Sequence, residues 1–439
     1  MTISRQRREE IVDALRRGTV PRAGLDAFAV GLNRFEGTFD EELDAVRRGG
    51  SRFKAVRGEY GSGKTFVARW LQERAKRLGF AASEVQISET ETPLHRLETV
   101  YRRLIERLST SDVPEGALRG VIDRWFYAME EDVLAGGGID EHDTRVLVSR
   151  TTALMEKRLA EITRTAPAFA AALRGYREAG ASGDQQQADG LLAWLAGQPN
   201  VAAGVKRGAG IKGDIDHFGA LSFLQGLLVV LRDAGHPGLV LVLDEVETLQ
   251  RVRSDVRDKG LNSLRQWVDE IDSGRFPGLY LVVTGTPGFF DGPQGAPRLP
   301  PLAQRLHVDF TTDLKFDNPR AVQIRLANFS MDRLVEVGVR IRDIYVQHCL
   351  APERVARKAD DGYVADLARA TTGRLGGKVG VAPRVFLKKL VADVLDRIDQ
   401  FEEFDPRQHY ALTVSDAELT PTERAAAGGL SVDDIVLEP

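Results

Sequence analysis

A glycine-rich octapeptide, GEYGSGKT at 58–65, constrains the fold of this chain more than any other feature. It matches G-x-x-x-x-G-K-[ST], a pattern whose backbone N–H groups turn inward onto phosphate oxygens. A strand-like segment, FKAVRG (53–58), precedes it, and a helical segment opens at Lys64. This order of strand, loop and helix favours a phosphate-binding loop over a glycine-rich turn that happens to carry a lysine.

The loop predicts a site for a nucleotide and a magnesium ion. We expect Lys64 to reach the β- and γ-phosphates and the Thr65 hydroxyl to ligate Mg²⁺. The start of the following helix adds partial positive charge beside the phosphates. The predicted nucleotide-binding residues are Gly58, Glu59, Tyr60, Gly61, Ser62, Gly63, Lys64, Thr65 and Phe66.

A second metal-binding group is predicted at the end of the buried strand in LVLVLDEVE. We expect Asp244 to hold the metal through water and Glu245 to orient and polarise an attacking water. A charged pair at a strand exit is also a common solvated feature, but the upstream loop favours the catalytic interpretation. No N-K-x-D motif for guanine is present, so the base is predicted to be adenine.

Three further side chains complete the predicted catalytic set. Thr284 ends the apolar strand in LYLVVTGTP, where a hydroxyl can bond the γ-phosphate or the attacking water, although a threonine satisfied within a turn is nearly as plausible. Arg305 precedes a weaker strand, RLHVDF, taken as the last of the sheet. Arg384 lies in the first turn of a helix. The guanidinium fork suits the charge that develops on phosphate.

Alternating strand and helix patterns with continuous apolar runs predict an α/β fold with a parallel sheet covered on both faces. Helical patterns without strands predict a large insertion and a C-terminal lid. The predicted divisions are 1–93 (N-terminal helices and first half of the core), 94–213 (helical insertion), 214–319 (second half of the core), 320–400 (helical lid) and 401–439 (tail).

The charge of the chain bears on whether it binds nucleic acid. The 439 residues include 60 basic and 64 acidic side chains, a net charge of −4, which argues against nucleic-acid binding by bulk charge but leaves a local basic groove open. One candidate groove is formed by Arg251, Arg253, Arg257 and Lys259. Asp255 and Asp258 interleave with it, which favours a solvated face.

The remaining signals concern location and metals. A single cysteine, Cys349, fits a reducing cytoplasm, and neither a signal peptide nor a membrane-spanning run is predicted. The seven histidines lack H-E-x-x-H spacing, so no metal beyond Mg²⁺ is predicted. Trp125, Trp194 and Trp267 lie in helical stretches and are expected in the core.

The order of these motifs resembles that of an AAA+ ATPase. The resemblance implies that the loop is Walker A, Asp244 and Glu245 are Walker B, Thr284 is sensor 1, Arg305 is the arginine finger and Arg384 is sensor 2 on a helical lid. Asp244 follows Lys64 by 180 residues, far more than in most members, and the surplus is the insertion.

Other stretches resemble a narrower family, the ATP-binding BrxD proteins of bacterial BREX-type phage-defence systems. They include LLAWLAGQ, LVLVLDEVETLQRVRSDVRDKGLNSLRQWVDEID, VVTGTPGFFDG and FDNPRAVQIRL. The resemblance spans about 20 to 400 and implies ATP binding and a role in defence.

The leading interpretation is an ATPase that couples its nucleotide state to assembly or remodelling of a defence complex. Its expected partners are copies of itself and other defence proteins such as a helicase. Two alternatives remain: a DNA-bound motor or loader, and a nucleotide-gated scaffold with little turnover.

Overall fold

The structure, a computed structural model, describes residues 3–137, 144–374 and 382–413. Within them, five strands form one sheet in the order β2-β3-β4-β1-β5. They are β1 Arg52–Arg57, β2 Ala81–Gln86, β3 Leu239–Asp244, β4 Leu279–Gly285 and β5 Gln323–Arg325. β3 runs parallel to both β2 and β4, and every residue of β3 and β4 is buried. The predicted α/β fold with a parallel sheet is confirmed.

Most of the remaining described residues are helical. The helices, α1 to α19, span Arg5–Arg16, Asn33–Arg47, Lys64–Arg77, Leu97–Glu106, Leu118–Ala135, Thr144–Thr165, Pro167–Ser182, Gln185–Leu195, Ala203–Gly208, His217–Asp233, Ser254–Asp272, Pro287–Asp291, Pro300–Leu306, Met331–Val346, Pro352–Lys358, Asp361–Arg374, Ala382–Lys388, Asp396–Gln400 and Pro406–His409. A π-helical segment, Lys389–Leu395, joins α17 to α18. No described helix is both long enough and apolar enough to cross a lipid bilayer.

The chain divides into two units, each held together mainly by its own contacts. The first comprises Met1–Thr38, Val56–Glu73 and Asp309–Pro439. The second comprises Phe39–Ala55 and Arg74–Val308. The loop that follows β1 therefore belongs to the first unit, and the strands β2, β3 and β4 belong to the second.

Aromatic side chains build the core of the second unit. Trp125, Trp194 and Trp267 are buried, which confirms their predicted place in the core. The ring of Phe223 on α10 lies edge-on to the rings of Phe169 and Trp194, at 5.2 Å in both cases. Such edge-to-face pairs add to the free energy of burial. α10 therefore anchors the helices between β2 and β3 to one another.

A shared carboxylate joins three helical segments of the first unit. Asp396 accepts hydrogen bonds from Nε (2.6 Å) and Nη2 (2.9 Å) of Arg16, and from the Tyr345 hydroxyl (2.8 Å). Burial, reinforced by the bond to Asp396, raises the pKa of Tyr345. α1 is amphipathic and buries Ile11 and Leu15.

Two predicted elements are wrong. The strand predicted at 305–310 is absent: α13 continues through Leu306, and 307–310 forms no regular element. Pro300 and Pro301 preset the backbone angles of a first helical turn, which explains this helix. The last strand is instead β5, inside a region predicted to be helical, where the Leu326 N–H bonds the Arg57 carbonyl at 2.9 Å. The part of the predicted tail (401–439) that follows Thr413 lies outside the described residues.

Candidate nucleotide-binding site

The loop between β1 and α3 has a backbone that requires glycine at three positions. Gly61 and Gly63 have φ of +79° and +92°, in the left-handed region that side chains disfavour. At Gly58, an added Cβ would lie 2.3 Å from Oγ of Ser62. The pattern read from the sequence therefore corresponds to a tight loop that ends where α3 begins, at Lys64.

The Lys64 ammonium is held inside this loop. It donates to the carbonyls of Gly58 at 2.9 Å and Glu59 at 3.3 Å, and it lies 5.0 Å from the centre of the Tyr60 ring. The buried hydroxyl of Ser62 has no hydrogen-bond partner among the described residues. A buried hydroxyl without a partner is unfavourable unless a ligand satisfies it. A small, positively charged loop with an unused hydroxyl fits a phosphate group.

The first turn of α3 adds to this fit. Thr65 is its second residue, and no acidic side chain occupies the turn. Its partial positive charge is therefore not offset by a neighbouring carboxylate on the helix. Phe66 packs edge-on against Phe28, with ring centres 5.2 Å apart.

The second unit holds the predicted Walker B residues. Asp244 ends β3 and is buried. Thr284 on β4 is fully buried; its hydroxyl donates to Asp244 and accepts a hydrogen bond from the Glu245 N–H at 3.1 Å. Thr284 therefore connects the two acidic residues. Its predicted contact with phosphate or water stays a prediction.

Glu245 adopts an uncommon backbone conformation. Its φ is +61° and its ψ is +45°, which places a non-glycine residue in the left-handed region. Such a conformation costs on the order of 1 kcal/mol or more and persists where surrounding contacts hold it. The bond from its N–H to Thr284 is one such contact, and the Thr248 hydroxyl donates to the Glu245 carbonyl at 2.9 Å.

Gln86 was missed by the sequence analysis. It ends β2, stands opposite Asp244 in the parallel register, and donates from Nε2 to Oε2 of Glu245 at 3.0 Å. The available signal was a polar residue at the end of a strand, which gains meaning only once β2 and β3 are known to be neighbours. The amide therefore fixes one oxygen of the predicted catalytic base.

Arg305 has a different setting from the one predicted. It lies in the last turn of α13, not before a strand. Its guanidinium forms an ion pair with Asp269 of α11 and donates to the Pro301 carbonyl at 2.7 Å. The side chain remains 34% exposed. Within its own unit, Arg305 thus ties α13 to α11.

Arg384 lies in the first turn of α17, as predicted. It approaches Gly18, just after α1: a Cβ added at Gly18 would lie 3.5 Å from Nη1 of Arg384 and 3.3 Å from Cδ of Lys388. Gly18 also has φ of +72°. A glycine here lets the chain pass close to both basic side chains of α17.

In the candidate groove at 251–259, Arg257 has a structural role. Arg257 donates to the backbone carbonyls of Leu249, Gln250 and Val252 at 3.2, 2.9 and 2.9 Å. Burial, with the nearby charge of Arg298, lowers the pKa of Arg257. Arg257 therefore closes the turn between β3 and α11, whereas Lys259 is exposed.

Comparison with known proteins identifies the family. A family model described as BREX system ATP-binding protein BrxC/D matches residues 3–414. The chain belongs to this family. The resemblance stated from the sequence is confirmed, and the chain is an ATP-binding protein of a defence system with an α/β P-loop fold.

One solved structure extends the comparison. It is that of the Aeropyrum pernix ORC2 protein in ADPNP–ADP complexes, with a TM-score of 0.35 and 13% identity over 87% of this chain and 70% of that chain. No curated protein matches the chain.

Proposed function

We propose that this BrxC/D-family chain is a Mg²⁺-dependent ATPase whose nucleotide state drives assembly or remodelling of a defence complex. The observation that carries the proposal is the loop at 58–65, where Lys64 lies among loop carbonyls and the buried Ser62 hydroxyl lacks a partner in the described part of the chain. Both groups suit the phosphates of ATP.

Binding is assigned to the loop and two metal-binding residues. Bound Mg·ATP supplies the reactive γ-phosphoryl group and a cation that offsets its charge. Lys64 neutralises the β- and γ-phosphates, Ser62 and the loop N–H groups donate to phosphate oxygens, and Thr65 and Asp244 hold the metal. One carboxylate with a hydroxyl and phosphate oxygens is a donor set that Mg²⁺ favours.

Hydrolysis is assigned to Glu245, with Thr284 as sensor 1. The Glu245 carboxylate accepts a proton from the attacking water. The Gln86 amide bond to Oε2 and the Thr284 bond to the backbone N–H support this role, because both restrict the orientation of the base. A scaffold that only binds ATP has no need of an oriented base, which favours turnover over the scaffold alternative.

The two arginines are assigned to the γ-phosphate. Arg384 acts from the lid of its own chain, and Arg305 acts on the nucleotide of a neighbouring copy. Arg305 then leaves Asp269 for the neighbour's phosphate, an exchange that its partial exposure permits. This role makes the active form a homo-oligomer, and the other partners are defence proteins such as a helicase, in the cytoplasm.

We further propose that 94–213 is an insertion that contacts partners and that 320–400 is the lid. The alternative, a DNA-bound motor or loader, is favoured by one observation: Phe218, Arg96 and Lys259 are all exposed. ATPase rates with and without DNA separate the two functions, since a motor on DNA is stimulated by it.

The assembly proposal is tested by molar mass in solution. Light scattering with a non-hydrolysable ATP analogue should give a larger assembly than with ADP. An unchanged monomer with both nucleotides, together with rapid hydrolysis, contradicts the proposed assembly and the action of Arg305 on a neighbour.

A further inference from the structure

The second unit carries an exposed aromatic ring at the start of α10. Phe218 is 75% exposed, more than any other aromatic side chain of the described residues. The His217 ring lies edge-on to it, with centres 5.4 Å apart. The next residues of α10, from Ala220, are buried in the core. Phe218 is therefore outside the core and offers its ring to solvent.

Three helices bring basic residues to the same place. A small apolar cavity is lined by Leu97 of α4, Ala220 of α10 and Trp267 of α11. Leu97 and Ala220 lie in the first turns of their helices, so the starts of α4 and α10 both border this cavity. Two consecutive residues, His95 and Arg96, precede α4.

α11 supplies a second cation. Lys259 lies eight residues before Trp267, about two helical turns away along α11. Both Arg96 and Lys259 are exposed, and within 3–137, 144–374 and 382–413 neither forms an ion pair with a carboxylate. Their charges remain available to a ligand.

The electrostatics of His95 show that these groups share one environment. Burial lowers the pKa of His95, and the positive charges of Arg96, Lys259 and His217 lower it further. The negative charge of Glu98 raises the pKa of His95. The nearby Asp216 carboxylate accepts a bond from the Gly219 N–H at 2.7 Å and so caps α10. Arg96 and Lys259 are thus the two cations of this region; of the two carboxylates beside them, Glu98 and Asp216, the second is engaged in the helix cap.

We propose that His95, Arg96, His217, Phe218 and Lys259, the Phe218 patch, bind single-stranded nucleic acid. Arg96 and Lys259 contact phosphates, and a base stacks on the Phe218 ring. A duplex keeps its bases paired inside the helix and cannot offer one to this ring. The patch goes beyond ATP hydrolysis, because no residue of it has a role in the proposed nucleotide site.

Fluorescence anisotropy tests the proposal with the full chain and a labelled oligothymidylate of about 20 nucleotides, longer than a typical single-strand site. An oligouridylate and a duplex of equal length are run beside it. Phe218→Ala should weaken single-strand binding by roughly 5- to 150-fold, the usual loss when one stacking ring is removed. Phe316→Ala is the matched control, since Phe316 is 70% exposed and belongs to the first unit. Phe316→Ala should leave the affinity for the single strand unchanged.

The salt dependence separates phosphate contacts from stacking. The double variant Arg96→Ala/Lys259→Ala should reduce the slope of log K against log salt by about 1.4, from two lost contacts, whereas Phe218→Ala should leave the slope unchanged. All measurements omit ATP, so a failure of hydrolysis does not affect them. Absence of binding by the unaltered chain at low salt, equal losses for Phe316→Ala and Phe218→Ala, or tighter binding of duplex than of both single strands overturns the proposal.

Discussion

The Gln86 side-chain amide donates a 3.0 Å hydrogen bond to Oε2 of Glu245; Gln86 ends β2, and Glu245 directly follows the neighbouring strand β3. This bond anchors the carboxylate, so Gln86→Leu should leave ATP affinity unchanged and lower turnover by about tenfold, part of what a general base contributes. Steady-state ATPase rates and nucleotide titration measure the two quantities. Gln86→Asn retains an amide and should recover part of the activity. Faster turnover in Gln86→Leu would mean that the bond restrains the base.

Lys64→Ala should abolish tight ATP binding and leave the fold intact, because a point charge on the β- and γ-phosphates is lost. Isothermal titration gives the affinity, and circular dichroism checks the fold. Lys315→Ala, at an exposed lysine elsewhere in the first unit, is the control and should bind ATP normally. Unchanged affinity in Lys64→Ala would exclude the loop as the phosphate site.

Gly58→Ala should disrupt the loop itself. The added Cβ would lie 2.3 Å from Oγ of Ser62 and 3.2 Å from Cβ of Leu326, so the loop must shift. We expect loss of ATP binding and a lower melting temperature. Gly37→Ala is the matched change: in α2 an added Cβ meets nothing within 4 Å, and it should stabilise the protein by about 0.5–1 kcal/mol. Normal ATP affinity in Gly58→Ala would show that the loop tolerates the side chain.

Glu245→Gln should bind ATP and stop hydrolysis, because the amide keeps the shape of the acid and cannot accept the proton. A rate assay under saturating ATP is decisive. Glu89→Gln, at an exposed glutamate of the same unit, serves as the control. Turnover of Glu245→Gln within about threefold of the unaltered protein would remove Glu245 as the base, since general bases contribute far more.

Arg305→Ala should bind ATP normally and lose about 10³-fold in turnover if the arginine acts on a neighbouring copy. Mixing it with Lys64→Ala should restore some activity, because a mixed interface pairs an intact loop with an intact arginine. Asp269→Asn distinguishes this role from a structural one, since it removes the carboxylate that pairs with Arg305, and with Arg265 at 2.9 Å, and leaves the Arg305 guanidinium in place. Equal losses in Arg305→Ala and Asp269→Asn, with no recovery on mixing, would indicate a structural pair.

Several parts of the molecule were predictable because they depend on residues adjacent in the chain. The loop at 58–65 was predictable from the sequence, because glycine spacing and the helix that follows determine its backbone locally. The buried strands β3 and β4 were also predictable, because a short, continuous apolar run is typical of a strand that is covered on both faces. The three tryptophans were placed in the core because helical periodicity marks the buried face.

Other parts depend on contacts between residues far apart in sequence. β5 has only three residues and no pattern of its own; it forms because the β1 backbone offers it a partner. RLHVDF has a strand-like composition, yet the two prolines before it start a helix that runs into it. Local preference is weak, and neighbouring structure overrides it.

The sequence by itself determined the glycine-rich loop at 58–65, the buried parallel strands and, through its longer motifs, the family. Only the tertiary structure decided that Gln86 holds Glu245, that Thr284 joins Glu245 to Asp244, and that Arg305 pairs with Asp269. The physical reason is the separation in sequence between the residues that interact. Glycine angles and apolar runs act within a few residues, whereas these hydrogen bonds and ion pairs exist only after the strands and helices have taken their neighbours.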